Sequence, residues 1–410
     1  MGFSQSLSGV NAASSQLDTI GNNISNSQTV GFKSSSVQFA DIFANSQGLG
    51  TRVAGKLQDF GTGSLETTGR GLDLAIAGDG FFQFTQNEQL AYSRNGQLSM
   101  SADGYFENAQ GARLTDQQGE PLQVTQFSQG AQATGTDTGV QTEFNLDAEA
   151  ETIDRGTVGF SQSDSDSYSY VTNAGTVYDS LGVGHDMSLY YTKVGTNAAG
   201  ETEWEVRTAL DGEMAQDIDV DGDGTNDGPG QPQIITFNEN GQIPAGDDTT
   251  RNFNFGDLGN GSAPLAFDID FDGTTQYGSE FELRSFAQDG NASGTFVGVE
   301  ITENGEVLAN YSNGNSEAVG TVGMANFRNP EGLEPQGDNL WAATQESGAA
   351  LLGQAGTGQL GSLESGTLEA SNVDLTQELV DMIIAQRNFQ ANNNAIQTQS
   401  DILETVTNLR

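Results

Sequence analysis

Residues 17–35, LDTIGNNISNSQTVGFKSS, combine spaced apolar side chains with a dense run of asparagine, serine and glycine. Leu17, Gly21 and Ile24 stand four and three residues apart, which is the spacing of a coiled-coil seam. Each glycine lowers helix propensity by up to ~1 kcal/mol, and asparagine and serine lower it by less. The stretch therefore predicts a weak helix that needs a neighbour to cover its apolar edge, with asparagines free to hydrogen-bond neighbouring copies.

The same spacing runs through both ends of the chain. At the N-terminus the apolar seam residues are Phe3, Leu7, Val10, Leu17 and Ile24. At the C-terminus they are Leu375, Leu379, Met382, Phe389, Ile396, Leu403 and Val406. One interpretation is that the two helices pack on each other within one chain. Their poor helix composition favours a second, in which both ends are disordered in the monomer and fold when neighbours supply the missing surface, so we expect these residues to carry self-assembly.

The region between the helices has the composition of short strands joined by tight turns. Asn95-Gly96, Asp103-Gly104 and Gln110-Gly111 predict a β-meander, and Asn304-Gly305 and Asn313-Gly314 predict turns in a second β block. The predicted fold class is mainly β, with nested β domains flanked by N- and C-terminal α-helices that form a coiled coil on assembly. The expected parts are terminal helices at 1–28 plus 370–410, an extended linker at 29–70 plus 350–369, a β domain at 71–140 plus 291–349, and an inserted acidic outer β domain at 141–290.

The charge distribution restricts the possible partners. The chain of 410 residues carries a formal net charge of −42, which would repel nucleic acid over most of its surface. Residues 141–290 hold 29 acidic residues against 5 basic ones, whereas residues 1–40 hold one of each. Electrically neutral ends suit surfaces that pack against copies of themselves.

Membrane and secretion signals are weak in this sequence. No stretch approaches the roughly 20 apolar residues of a membrane span, so we expect no membrane insertion. The first residues, MGFSQSLSGVNAASS, show neither a basic leader nor a continuous apolar run, so we expect any export to proceed without a cleaved signal peptide. The sequence holds no cysteine, which excludes disulfides and thiolate metal sites.

One acidic segment has the spacing of a calcium loop. In DVDGDGTNDG, residues 219–228, carboxylates at alternating positions surround a glycine turn and supply the hard oxygen ligands that calcium takes. The candidate ligands are Asp219, Asp221, Asp223 and Asp227. Gly230 stands where an EF-hand carries glutamate, so the loop is either a simpler calcium site or an acidic turn, and no other cofactor is expected.

No catalytic constellation stands out. GTGQLG at residues 356–361 satisfies a dinucleotide-binding pattern, but no strand precedes it, so a glycine-rich linker is the better interpretation. The single histidine, His185, has no G-x-S-x-G motif to accompany it. The sequence therefore favours a protein without enzymatic activity.

Several long stretches, in a consistent order, resemble the flagellar rod and hook family, the axial proteins of the bacterial flagellum. They are SGVNAASSQLDTIGNNISNSQTVGFKSS at 8–35, GRGLDLAIAGDGFF at 69–82, YSRNGQL at 92–98 and the C-terminal segment 363–403. VYDSLGVGH at 177–185, YSNG at 311–314 and FRNPEGL at 327–333 are similar to the hook members of that family. The acidic middle matches only sparsely.

The resemblance implies a structural subunit of the bacterial flagellar hook, which polymerises into a curved, flexible tube and acts as a universal joint between rod and filament. It implies an extracellular location in the hook of the flagellum, reached through the flagellar type III export apparatus. The implied partners are further copies of the chain, the distal rod protein, the hook-filament junction protein and the hook cap. The alternatives are a flagellar distal rod subunit and, from a different class, a secreted calcium-binding β-rich adhesin.

Overall fold

A computed structural model describes residues 3–44, 47–215 and 232–408 of the chain. Side chains are described for these residues except 43, 44, 47–49, 403 and 406–408. The chain forms two units. The first comprises Met1–Gln126, Val297–Asn310 and Ser316–Arg410, and the second comprises Phe127–Phe296 and Tyr311–Asn315. Among the described helices none is long and apolar enough to cross a membrane.

The first unit begins with a helix and continues as a series of strands. Its elements up to the second unit are α1 (Phe3–Ser25), β1 (Ser35–Ala44), β2 (Gln47–Gln58), β3 (Leu65–Thr67), β4 (Asp73–Ala77), β5 (Phe81–Gln86), β6 (Gln89–Ser93), β7 (Gly96–Gln97), β8 (Ser99–Met100), β9 (Phe106–Glu107) and β10 (Arg113–Leu114). β1 and β2 form a long antiparallel hairpin. The remaining strands belong to sheets that later segments of the chain complete.

The second unit is built from strands, several of which alternate buried and more exposed residues. They are β11 (Ser128–Gln129), β12 (Val140–Asp147), β13 (Tyr170–Tyr178), β14 (Gly184–Thr196), β15 (Thr202–Leu210), β16 (Glu213–Met214), β17 (Gln233–Phe237), β18 (Thr250–Gly256), β19 (Leu265–Asp270), β20 (Thr275–Tyr277) and β21 (Glu282–Gln288). β14 shows the period of two, because His185, Met187, Leu189 and Tyr191 are buried and the residues between them are more exposed.

Two sheets share one core in the second unit. One has the order β18-β19-β12-β20, with β21 also paired to β12, and the other has the order β13-β14-β15-β16, with β17 paired to β15. Phe144 on β12 and Tyr191 on β14 lie 4.5 Å apart between ring centroids, and both are fully buried in the same core cluster as Trp204. Aromatic burial of this kind is the main stabilising term of such a core.

The chain then returns to the first unit. β22 (Gly294–Ile301) leads back, followed by β23 (Glu306–Tyr311), β24 (Ser316–Thr321), β25 (Met324–Asn326), β26 (Glu334–Gly337), β27 (Leu340–Ala342), β28 (Leu351–Gly353), β29 (Ser362–Ser365), β30 (Thr367–Glu369) and α2 (Leu375–Asn408). A sheet of order β26-β27-β6-β5-β10-β9-β8 also includes β25 and β28. Smaller sheets join β29-β4-β7 and β3-β30, so the last strands before α2 pair with strands that follow the N-terminal hairpin.

Most predicted turns are confirmed, and one is wrong. Gly104, Gly111, Gly305 and Gly314 all have positive φ angles, as the turn chemistry predicts. Gly96 instead lies in β7, opposite Leu74 of β4, where a side chain would collide with the Leu74 carbonyl oxygen. Gly96 permits two strands to approach closely. The sequence alone does not distinguish a glycine needed for such an approach from a glycine needed for a turn.

The predicted fold class is confirmed: the chain is mainly β with one helix at each end. The ordering of the ends only in an assembly and the four-part domain division stay predictions.

Candidate self-assembly surface

α1 buries a different face from the predicted seam. Its buried residues are Ser6, Ala12, Ala13, Thr19, Ile20 and Asn23. The seam residues Phe3 and Leu7 are 49% and 44% exposed, and Val10, Leu17 and Ile24 are half-buried. Packing within one chain therefore uses small and polar residues together with Ile20, and it leaves Phe3 and Leu7 of the seam uncovered.

α2 is more exposed still. Among its described side chains Ala385 is the buried one, Met382, Phe389 and Ile396 are half-buried, and Leu375 and Leu379 are exposed. Leu403 and Val406 belong to α2, but their side chains lie outside the described part. Four further exposed apolar residues were not in the predicted seam, namely Val380, Ile383, Ile384 and Ile402. The run LVDMII at residues 379–384 contains three of these four and carries apolar residues on adjacent positions, which indicates a face wider than one stripe.

The two helices contact each other through small and amide side chains. A Cβ atom on Gly9 would lie 2.7 Å from Oδ1 of Asn392, so only glycine permits this approach without movement of Asn392. Asn23 donates from Nδ2 to Oε1 of Glu378 at 2.7 Å. The first interpretation of the ends, packing of the two helices on each other, is therefore observed, yet it leaves Phe3, Leu7, Leu375 and Leu379 of the apolar seam exposed.

The asparagines of the quoted stretch differ in their roles. Asn23 is 1% exposed, and besides Glu378 it bonds both the carbonyl oxygen and the N–H of Ser35. Asn26 donates to the Asn22 carbonyl oxygen one helical turn earlier, and Asn22 itself is exposed. The prediction that the asparagines are free for neighbouring copies is therefore wrong for Asn23, which fixes the exit of α1 instead.

The hairpin β1-β2 lies against α1. The Thr51 N–H donates to Oγ of Ser8 at 3.2 Å. On the hairpin, Phe39 pairs directly with Val53, and both side chains are exposed. The hairpin thus adds an uncovered cross-strand apolar pair to the exposed faces of the helices.

A buried ionic node joins the helical part of the first unit to its strands. Lys33, just beyond α1, places Nζ 2.7 Å from Oε1 of Glu369 and 2.6 Å from the Gly61 carbonyl oxygen. Arg94 places Nε 3.0 Å from Oε2 of the same glutamate. The side chains of all three residues are at most 2% exposed.

The groups of this node neutralise one another and hold their segments together. Burial lowers the pKa of Lys33, and the adjacent carboxylate of Glu369 opposes that shift. Arg94 also donates to the carbonyl oxygens of Gly80 and Gly78, so its charge is enclosed by acceptors. Because Glu369 precedes α2 and Lys33 follows α1, one carboxylate holds both helix connections to the β sheets.

A second acidic side chain, Asp289, connects the two chain segments that enter and leave the second unit. The carboxylate of Asp289 accepts hydrogen bonds from the N–H groups of Gly135, Asp137, Thr138 and Gly139, at 2.6 to 3.2 Å. Partial burial alone would raise the pKa of Asp289, but these four donors outweigh it and hold the pKa below its ordinary value. The segments that enter and leave this unit are thereby tied together.

The structure offers no support for a metal centre in its described part. Asp219, Asp221, Asp223 and Asp227 lie outside the described residues. Among the described residues no group of three or more histidine, aspartate or glutamate side chains could hold a metal ion. His185 sits between Asp179 and Asp211 in the second unit, with its ring nitrogens 3.4 and 2.7 Å from their carboxylate oxygens.

Comparison with known protein families gives four matches along the chain. Residues 5–33 match the flagella basal body rod protein family, and residues 75–158 match the flagellar hook protein FlgE/F/G D1 domain. Residues 145–291 match the flagellar basal body protein FlaE D2 domain, and residues 364–409 match the flagellar basal body rod FlgEFG protein C-terminal family.

Individual relatives cover the whole chain. It is 42% identical to the flagellar hook protein FlgE of Salmonella typhimurium and 41% identical to that of Escherichia coli, with 100% of both chains covered in each case. The hook protein FlgE of Treponema pallidum is 29% identical over 98% of each chain. The crystal structure of Helicobacter pylori flagellar hook protein FlgE2 is 15% identical, covers 74% of this chain and 100% of that one, and superposes with a TM-score of 0.54, which shows a shared fold.

Proposed function

The chain belongs to the flagellar hook protein family and is a structural subunit of the hook, and we propose that its copies polymerise into a curved, flexible tube that passes torque from rod to filament. Its relatives are structural proteins and not enzymes, which confirms the prediction of no enzymatic activity. A distal rod subunit and a calcium-binding adhesin are not favoured, since relatives at 41–42% identity over the full chain are hook proteins.

The observation that carries the proposal is the uncovered apolar surface of the terminal helices. Phe3, Leu7 and the exposed apolar residues of α2 each leave 44–58% of their surface in water. Burying such side chains yields about 25 cal/mol per Å² of apolar surface, so a neighbouring copy that covers them would be strongly stabilised. We propose that helices of adjacent copies meet along this surface as a coiled coil.

The division of labour in the tube follows from the nested order of the chain. The helices at 1–28 plus 370–410 form the inner wall, and the linker at 29–70 plus 350–369 connects them to the β domain at 71–140 plus 291–349. The acidic domain at 141–290 lies on the outside, where its net charge of −24 favours small, hydrated contacts between copies. Contacts of that kind slide at low cost, which would permit the tube to bend while the inner wall stays in register.

The subunit resides in the flagellar hook, and the route to that place is part of the proposal. We propose an extracellular position, reached by type III export without a cleaved signal peptide. The distal rod protein, the hook-filament junction protein and the hook cap are the proposed specific partners. Poor helix propensity at both ends is consistent with export in an unfolded state.

Calcium binding by the loop at 219–228 is a separate prediction. Alternating carboxylates on an outer domain would give a weak site of the kind found in extracellular modules. Isothermal titration of calcium into the wild-type chain and into a variant with Asp221→Ala and Asp223→Ala tests it. Heat of binding in the first and not in the second is the expected result, and equal titrations would exclude the site.

Electron microscopy of the purified full-length chain tests the proposed polymer. We expect short curved tubes of uniform width as protein concentration and salt are raised, because salt screens the repulsion between acidic domains. Monomers alone under every condition would contradict the proposal.

A further inference from the structure

The second unit presents two uncovered apolar side chains on one turn between β13 and β14. Leu181 is 57% exposed and Val183 is 47% exposed. Isolated exposed residues need no explanation, but two large ones on a five-residue turn form a small apolar knob. Residues 180–184, Ser-Leu-Gly-Val-Gly, contain no charged side chain, although they belong to a strongly acidic part of the chain.

This turn is held rigidly. The carboxylate of Asp179 accepts from the N–H groups of Leu181 and Val183, each at 2.9 Å, and from Nδ2 of Asn260 at 2.6 Å. Gly182 has a φ of +77°, and a Cβ atom there would lie 2.7 Å from Cβ of Ala131. A turn fixed in this way loses little conformational entropy when it docks on a partner.

In the first unit, the edge strand β28 carries a second pair of uncovered apolar side chains. Leu351 and Leu352 are 46% and 47% exposed, although adjacent residues of a strand point to opposite faces. Among the described strands β28 pairs with β25 alone, so it is an edge of its sheet. An uncovered edge that carries apolar side chains invites association, and natural proteins normally protect such edges.

The lack of charge on both surfaces and the symmetry of a helical polymer favour another copy of this chain as the partner that covers them. Residues 347–363 around β28 contain no charged side chain, so the knob and this edge can approach without the repulsion that opposes contact between acidic surfaces. A helical homopolymer grows by heterologous contacts, in which one patch of a subunit meets a different patch of the next. The chain supplies two such patches, one in each unit.

We propose that the Leu181–Val183 turn of one copy docks on the Leu351–Leu352 edge strand of a neighbouring copy, as a dry contact between subunits outside the helical wall. The inference rests on the proposed polymerisation. It adds a specific pair of surfaces to a layer whose other contacts are hydrated.

The absence of native cysteine allows a direct test by disulfide cross-linking. The variant with Leu181→Cys and Leu352→Cys is assembled into tubes and oxidised with copper phenanthroline, which accepts the two electrons released when two thiols form a disulfide. The control pairs Leu181→Cys with Leu90→Cys, since Leu90 is 45% exposed on β6 but lies outside the proposed contact. We expect covalent dimers and longer ladders for the first pair and monomers for the control.

A second variant covers the case in which a cysteine impairs assembly. Leu181→Ser with Val183→Ser should raise the protein concentration needed for assembly roughly tenfold, because the apolar contact is lost. Val171→Ser, at an exposed valine of the same unit, should leave that concentration unchanged.

The outcomes separate this inference from the proposed function. Wild-type chains that never form tubes would contradict the polymer itself. Tubes that form normally but give no Leu181–Leu352 cross-link, equal cross-linking in the control pair, or an unchanged assembly concentration in the serine variant would overturn the docking contact alone.

Discussion

Two buried or half-buried acidic residues organise the places where the chain leaves a folded part and returns to it. Glu369 gathers Lys33, Arg94 and the Gly63 N–H at the connection between helices and strands. Asp289 gathers four backbone N–H groups at the entrance of the second unit. Such carboxylates are ordinary members of an acidic sequence, and only the fold reveals that they tie distant segments together.

Removing one of the two cations of the buried node should destabilise the first unit. Lys33→Met takes the 2.7 Å partner from Glu369 and the donor from the Gly61 carbonyl oxygen, while Arg94 remains 3.0 Å from the same carboxylate, so we expect a cost of about 1–3 kcal/mol. Trp341 lies in the core of the first unit, so its fluorescence in a Trp204→Phe background reports urea unfolding of that unit. Lys56→Met, at an exposed lysine of β2, serves as control and should change stability by less than about 0.5 kcal/mol. Equal stability of both variants would show that the node is not an anchor.

Acid should weaken the tie made by Asp289. Its pKa is lowered in the folded chain, so its contribution to stability is present above the ordinary aspartate pKa of about 4 and is lost as the pH falls through the lower folded pKa. Asp289→Asn should therefore cost about 1–2 kcal/mol at pH 7, with solvent screening taken into account, and progressively less below pH 4. Urea titrations monitored by Trp204 fluorescence in a Trp341→Phe background measure the difference. A cost that is independent of pH would contradict the charged role of Asp289.

The sequence locates an apolar seam in each helix, but not the contacts around it. The heptad spacing selects four residues that are exposed (Phe3, Leu7, Leu375, Leu379) and six that are half-buried (Val10, Leu17, Ile24, Met382, Phe389, Ile396), and their role in self-assembly stays a prediction. The bonds of Asn23 could not be predicted, since Ser35 and Glu378 reach it only through the fold. Lys33 looks like an isolated charge in a neutral segment, and its partner stands 336 residues away.

At the scale of elements, two glycines in α1 have opposite roles. A Cβ atom at Gly21 would meet no heavy atom beyond its own stretch of helix within 4 Å, whereas a Cβ atom at Gly9 would press against Asn392 of α2. Gly21→Ala should stabilise α1 by about 0.5–1 kcal/mol through helix propensity alone. Gly9→Ala should stabilise the chain less than Gly21→Ala does, or destabilise it, because Asn392 must move away. Circular dichroism at 222 nm during thermal unfolding of the two variants compares them, and a larger gain at Gly9 would exclude close packing of the helices there.

Element types follow from the sequence more reliably than element surfaces. Turn pairs such as Asp103-Gly104 and the two apolar ends locate strands and helices correctly, because both signals are short-range. The heptad pattern underestimates the width of the apolar face of α2, since Val380, Ile383 and Ile384 fall outside a single stripe. The turn prediction fails at Gly96 because a strand that needs a close neighbour and a tight turn both select glycine.

At the scale of the whole molecule, the second unit should be dispensable for tube formation and necessary for curvature. Gln132 and Asn291 exchange two backbone hydrogen bonds of 3.0 and 2.9 Å, so their main chains are adjacent. Replacing residues 133–290 by two glycines should therefore leave the first unit intact. We expect tubes that need a higher protein concentration, because the Leu181–Val183 turn is lost, and that are straight in electron micrographs. Curved tubes, or no tubes at any concentration, would contradict the proposed division of labour.

The central claim is that the exposed apolar faces of α1 and α2 are the assembly surface. The most direct measurement is the polymer fraction, by sedimentation, of a variant with Leu7→Ser and Leu379→Ser against Leu90→Ser, in which a leucine of equal exposure is changed on β6. Because all three side chains are about 45% exposed, the folded monomers should have similar stability. The account predicts that the helix variant stays in the supernatant at concentrations where the wild type and Leu90→Ser form tubes. Polymerisation of the helix variant at the wild-type level would contradict it.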